Sequence, residues 1–235
     1  MIDRPHVEFI CADTIEWTER AAPFAAEPLS MRVLVAEPDA GNGAAIARLP
    51  AGFTASEVGA PFELIVLEGA LEVDDRTLGR HGYLSALPGA ALRLSAPAGA
   101  LVFFDAIADV DTTTVEPWSE EGFVKASMPG LERKIIRHVD GDARGWFLRI
   151  PAGWTMERTE WHDCAEASFR LEGSLWHDRA NGGAGGTMWP HCYFWRPAHG
   201  LHGPMGSNTG SLSWVYVDGH LVSHFVEDEG EPPAD

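Results

Sequence analysis

Positive charge is scarce in this chain: 17 lysines and arginines stand against 35 aspartates and glutamates, a formal net charge of −18 over 235 residues. That balance repels nucleic-acid phosphates and anionic membrane surfaces, so neither is an expected partner. Cysteine is scarcer still. The three present, Cys11, Cys164 and Cys192, are widely spaced, form no C-x-x-C pair and imply no disulfide framework. Such a set suits a reducing cytoplasm. Long apolar runs are also missing. The most apolar region, Ala90 to Val110, is broken by Arg93, Pro97, Gly99, Asp105 and Asp109, too much polarity for a membrane span, and reads as two core strands. The first ten residues lack a basic stretch followed by an apolar core, so no export signal is expected.

Helical periodicity is poor, whereas 25 glycines and 16 prolines punctuate short apolar or alternating runs such as Glu63–Leu67, Ala100–Phe104 and Ser213–Val217. This is the pattern of antiparallel β structure. The runs recur in two copies. Ile46-Ala-Arg-Leu-Pro-Ala-Gly-Phe53 is answered by Phe147-Leu-Arg-Ile-Pro-Ala-Gly-Trp154, and Leu67-Glu-Gly-Ala-Leu71 by Leu171-Glu-Gly-Ser-Leu175. A duplication on this scale predicts two tandem β barrels, closed so that few sheet edges are exposed. We expect an N-terminal barrel over 1–110, a linker over 111–128, where periodicity lapses, and a C-terminal barrel over 129–235.

Chemistry concentrates in the second copy. In Glu160-Trp-His162-Asp-Cys-Ala-Glu166, Glu160 and His162 share one face if the segment is extended, and Trp161 takes the other. His202 follows in Arg196-Pro-Ala-His-Gly-Leu-His202-Gly-Pro204. Two imidazoles and a carboxylate converging inside a barrel would hold a metal ion; the plain alternative is that they satisfy buried hydrogen bonds. For Glu160, three roles are open: fourth ligand, acceptor orienting a histidine, or solvated strand residue. His199, three residues before His202, falls on the opposite face of an extended segment and is expected on a loop or surface. Cys164 reads as a small apolar filler, and His191 as a lesser candidate for substrate contact. Asn181-Gly-Gly-Ala-Gly-Gly186 lacks the lysine and strand-to-helix setting of a phosphate cradle and reads as a hairpin. Seven of nine tryptophans lie at or after Trp146, so Trp161, Trp176 or Trp195 could line a pocket.

Gly153, His162, Glu166 and Gly173 fall onto the first motif of the cupin superfamily, with Glu160 in place of the first histidine of its H-x-H. Pro197 and His202 fall onto the second motif, with His199 where a glycine is usual and no terminal asparagine. The chain thus resembles a bicupin, and Tyr193-Phe-Trp-Arg-Pro197 beside a Leu-Glu-Gly turn is similar to ChrR-like cupins. The resemblance implies two tandem double-stranded β-helix barrels, all-β. It implies a divalent metal in the C-terminal one, held by His162, Glu166, His202 and Glu160, with Glu160 also the catalytic or tuning carboxylate. In the first copy Phe62 stands in place of Glu166 and Arg93 in place of His202, so that barrel is expected to be metal-free.

Two imidazoles with a carboxylate suit non-haem Fe(II), which implies a dioxygenase acting on a small diketone, aromatic ketone or polyketide-like compound. Zinc or nickel on the same ligands would suit hydrolysis or isomerisation. The resemblance also admits a non-catalytic, zinc-binding regulatory module, and a homodimer paired through strands. We expect no helical sigma-binding segment before the first barrel, which speaks against the regulatory module and leaves a free-standing small-molecule binding protein as the non-catalytic alternative.

Overall fold

A computed structural model describes residues 4–37, 42–107, 109–180 and 183–233. It is built of β-strands apart from a 3-10 turn at Ala12–Thr14 and a four-residue helix at Val226–Glu229. Among the described residues no helix is long and apolar enough to cross a membrane. The chain divides into two compact units, one of Arg4 with residues 12–120 and one of residues 5–11 with 121–233.

In the first unit a seven-stranded antiparallel sheet runs Thr114–Glu116, Tyr83–Ala86, Phe62–Gly69, Ala100–Ala106, Asn42–Leu49, Ala25–Glu37, Thr18–Ala22, beside a four-stranded sheet of Phe53–Ala55, Leu94–Ala96, Leu71–Val73 and Arg76–Leu78. The second unit repeats the scheme. Its seven strands run Val7–Cys11, Cys192–Arg196, Glu166–Gly173, Ser211–Val217, Asp142–Ile150, Glu132–Val139, Val124–Lys125, beside Trp154–Met156, Met205–Ser207, Leu175–Ala180 and Gly183–Met188. A further pair joins Glu160–His162 to Ser223–Phe225. Both units are the jelly-roll expected from the duplicated pattern. The Gly-rich stretch read as a hairpin begins at Asn181 and Gly182, which lie outside the described residues; Gly183–Met188 pairs with Leu175–Ala180.

The repeat extends to register. Leu64 pairs with Phe104 and Val66 with Val102 in the first sheet, as Ser168 pairs with Val215 and Arg170 with Ser213 in the second. The motif glycine, Gly173, has its reason here too. Its φ of +66° is left-handed, and a Cβ would fall 1.9 Å from the Gly210 carbonyl oxygen.

Three features depart from the sequence reading. The stretch 111–128 contributes a strand to each unit, Thr114–Glu116 pairing with Tyr83–Ala86 and Val124–Lys125 with Glu132–Val139. Val7–Cys11, expected in the first barrel, is the edge strand of the second unit, where it pairs with Cys192–Arg196. That pairing sets Cys11 opposite Cys192, and the two form a disulfide across 181 residues, correcting the expectation of none; Cys164 is free and buried. The cysteine set therefore no longer points to a reducing compartment.

Candidate metal centre

The Glu160–His162 strand and the loop carrying His202 are tied backbone to backbone. The Glu160 N–H donates to the His202 carbonyl at 2.8 Å and the His202 N–H returns to the Glu160 carbonyl at 3.0 Å, while the His199 N–H donates to the His162 carbonyl at 2.8 Å. Strand alternation then turns Glu160 and His162 to one side and Trp161 to the other, where its ring stacks on His224 at 4.1 Å. As a result Glu160, His162 and His202, each 6% exposed or less, present one donor atom apiece within 4.8 Å of one another. The solvated-strand reading of Glu160 falls with its burial.

The imidazoles are oriented for ligation. Nδ1 of His162 lies 3.0 Å from the Val222 carbonyl oxygen and Nδ1 of His202 lies 3.0 Å from that of Gly200. A carbonyl oxygen only accepts, so each Nδ1 carries the proton and, in a neutral ring, each Nε2 presents a bare lone pair. Nε2 of His202 nevertheless sits 3.2 Å from Oε1 of Glu160, an acceptor facing an acceptor. Either a proton or a cation must lie between them; Oε2 of Glu160 is buried with no hydrogen bond of good geometry among the described residues, although the Ser223 hydroxyl also lies near the carboxylate. The residues present therefore fit a divalent ion.

Without a metal, the positive species in that contact is a proton. Burial alone would raise the Glu160 carboxyl, yet the hydrogen bond from protonated His202, the charges of protonated His202 and His162, and the Ser223 hydroxyl outweigh it and hold the group down at about 2. Burial, and then the His202 charge, lower the His162 imidazole below its ordinary value, which favours the neutral, ligating form.

Glu166 lies at the edge of this group. Its Oε2 is 4.0 Å from Nε2 of His202 and 3.6 Å from the Arg196 guanidinium, whose other nitrogens are held by Glu8 from the Val7–Cys11 strand. His199 is displaced from the centre, 3.8 Å from Asp163 and edge-on to Trp161. His191 occupies a turn and stacks on Phe169, away from the cavity. Cys164 is buried, and burial pushes its thiol up to about 12, as a filler rather than a nucleophile.

A cavity of about 100 Å³ opens on the donor group. Trp146, Leu148, Ile150, Leu175, Phe194, Met205 and Val215 supply its apolar wall; Ser168, Arg170, His177, Arg196 and Ser213 supply a polar one. Trp161, Trp176 and Trp195 take no part in the lining; Trp146 and Trp154 do. Sequence reading missed Ser168, Arg170 and His177, although the alternation of Glu166, Ser168 and Arg170 along one strand carried the signal.

No family model and no curated protein matches the chain. Solved structures do. A candidate dioxygenase from Nostoc punctiforme superposes with a TM-score of 0.70 at 18% identity, covering 92% of this chain and 86% of its own. Salicylate 1,2-dioxygenase from Pseudoaminobacter salicylatoxidans gives 0.55 at 15% identity, over 77% of this chain and 74% of that one. The fold is that of a bicupin. A third solved structure of similar fold, protein Ylba from E. coli, gives 0.63 at 14% identity over 92% and 93% of the two chains. In this chain the Glu-His-His group lies in the second of the two units.

Proposed function

We propose that the second barrel binds one divalent transition metal through His162, His202 and Glu160, with Glu166 as a fourth ligand, and that the protein is a non-haem iron dioxygenase-like enzyme. The observation that carries this is the Nε2 of His202 set against the buried Glu160 carboxylate, with His162 grouped beside them and both imidazoles holding their Nδ1 on backbone carbonyls. Iron(II), when bound, supplies the centre at which dioxygen and an oxygen-chelating substrate meet. The chain's own residues do the rest. The Val222 and Gly200 carbonyls fix the ring orientations. Glu160, held at about 2, is too weak a base to take a substrate proton near neutrality and serves as a ligand. The apolar wall keeps water from the reacting groups.

The fold neighbours support a small-molecule substrate: salicylate 1,2-dioxygenase has been crystallised in complex with gentisate. A cavity of about 100 Å³ is smaller than the engineered void of roughly 150 Å³ that holds benzene. It favours a small diketone over an aromatic ketone or a polyketide.

Protein loaded with Fe(II) without oxygen, then exposed to oxygen with 2,4-pentanedione and other small diketones, is expected to consume oxygen in proportion to substrate. Silence across the panel overturns the dioxygenase reading. Zinc or nickel near one ion per chain in freshly purified protein moves the assignment to a hydrolase or isomerase on the same ligands.

A further inference from the structure

The polar wall of the second barrel is not required by the fold. The first unit builds the same strands with Val66 and Leu64 paired to Val102 and Phe104, all fully buried in an apolar core. At the matching register the second unit has Arg170 and Ser168 paired to Ser213 and Val215. One copy is thus an internal control for the other. Replacing a core valine by a buried arginine is costly unless something offsets the charge.

Among the described residues nothing does so for Arg170. It is 1% exposed, and its guanidinium donates from Nη1 to the Ser211 and Ser213 hydroxyls, neutral acceptors that leave the charge unmatched. Its Nε–H has no hydrogen-bond partner among the described residues. That N–H lies on the edge shared with Nη2, the fork that grips a carboxylate with two parallel bonds. Arg196, the other arginine fully buried in this wall, differs by having Glu8 and Glu166 beside it. His177, 3% exposed and lining the same cavity, has neither ring nitrogen hydrogen-bonded. Burial and the charges of Arg196, His202 and Arg170 hold it neutral, so it can donate one N–H without adding a second charge.

From the unmatched guanidinium, the idle imidazole and the cavity they share with Glu160, His162 and His202, we infer that this barrel takes a small carboxylate, its anionic end on Arg170 and His177. The apolar body lies against Leu175, Phe194 and Val215. As a statement about the substrate this rests on the metal-dependent reading of the site; as a statement about binding it does not.

The test compares butanoate with butanamide, equal in shape and different in charge, by calorimetry and thermal shift on chelator-treated and on Fe(II)- or Zn(II)-loaded protein. Butanoate is expected to bind about tenfold tighter or more in both forms. Arg170→Met is expected to abolish the difference and Arg170→Lys to retain part of it. Equal binding of acid and amide by the wild-type chain overturns the inference whether or not Arg170→Met folds. A preference that needs the metal and survives Arg170→Met also overturns it, leaving the metal centre intact. An Arg170-dependent preference in protein that takes up no metal supports the anion site and removes the metal centre.

Discussion

Nε2 of His202 lies 3.2 Å from Oε1 of Glu160, while the same two residues exchange backbone hydrogen bonds of 2.8 and 3.0 Å. The carboxylate and the imidazole are thus locked together by main chain, and their side chains meet lone pair to lone pair. Such a contact is stable only with a positive species in it, and it sets the first expectation.

His162→Ala and His202→Ala should each lower the metal content of purified protein from near one ion per chain to a small fraction of that, measured by elemental analysis. Full retention in either variant would remove that histidine from the ligand set.

The two glutamates should differ. Glu160 belongs to the buried donor group, whereas Glu166 is shared with Arg196. Glu160→Gln should weaken metal binding by roughly 100-fold and Glu166→Gln by roughly tenfold, in line with losses of central and supporting groups. A chelator competition titration reads the order; the reverse order would make Glu166 the main carboxylate ligand.

Acid should destabilise the metal-free protein. His162 is held below its ordinary 6.5 and Glu160 at about 2 against 4.5, so the unfolded chain binds more protons than the folded one at both groups. Stability from these groups is present above those ordinary values and is lost as pH falls, first below 6.5 and again between 4.5 and 2. A melting temperature that rises between pH 7 and 5 would contradict this. On the alkaline side, Cys164 keeps its proton to about 12 and should cost stability as pH climbs above 9.

Cys11→Ser should lower unfolding stability by about 2–4 kcal/mol, since the bond closes a loop of most of the chain. Denaturant melts with and without reductant should show the same loss in the wild type and none in the variant.

Gly173→Ala should cost about 3 kcal/mol or more, because its Cβ would overlap the Gly210 carbonyl. Gly153→Ala, at a φ of +79° but facing open space, should cost about 1 kcal/mol. Equal melting temperatures for the two variants would show that the turn at Gly173 relaxes freely.

Much of this was legible beforehand. The duplicated Pro-Ala-Gly and Leu-Glu-Gly turns announced two like barrels, because turn residues and strand alternation are local signals. The spacing of His162 and His202 placed the histidines, and parity placed Glu160 beside His162. What alternation could not give was phase: whether Ser168 and Arg170 face inward depends on which side of the sheet the core occupies. The ranking of Glu160 above Glu166 depended on a backbone bridge between residues 42 positions apart, and the pairing of Cys11 with Cys192 on a strand crossing to the other unit. Neither leaves a mark on neighbouring residues.

That crossing governs how the chain can be made and cut. Val7–Cys11 is synthesised well before Cys192–Arg196 and has no docking edge until that strand has followed, so the second jelly-roll cannot close before both are present. A fragment starting at residue 121 would lack its outer strand, the bridging sulfur and the Glu8 counter-charge together.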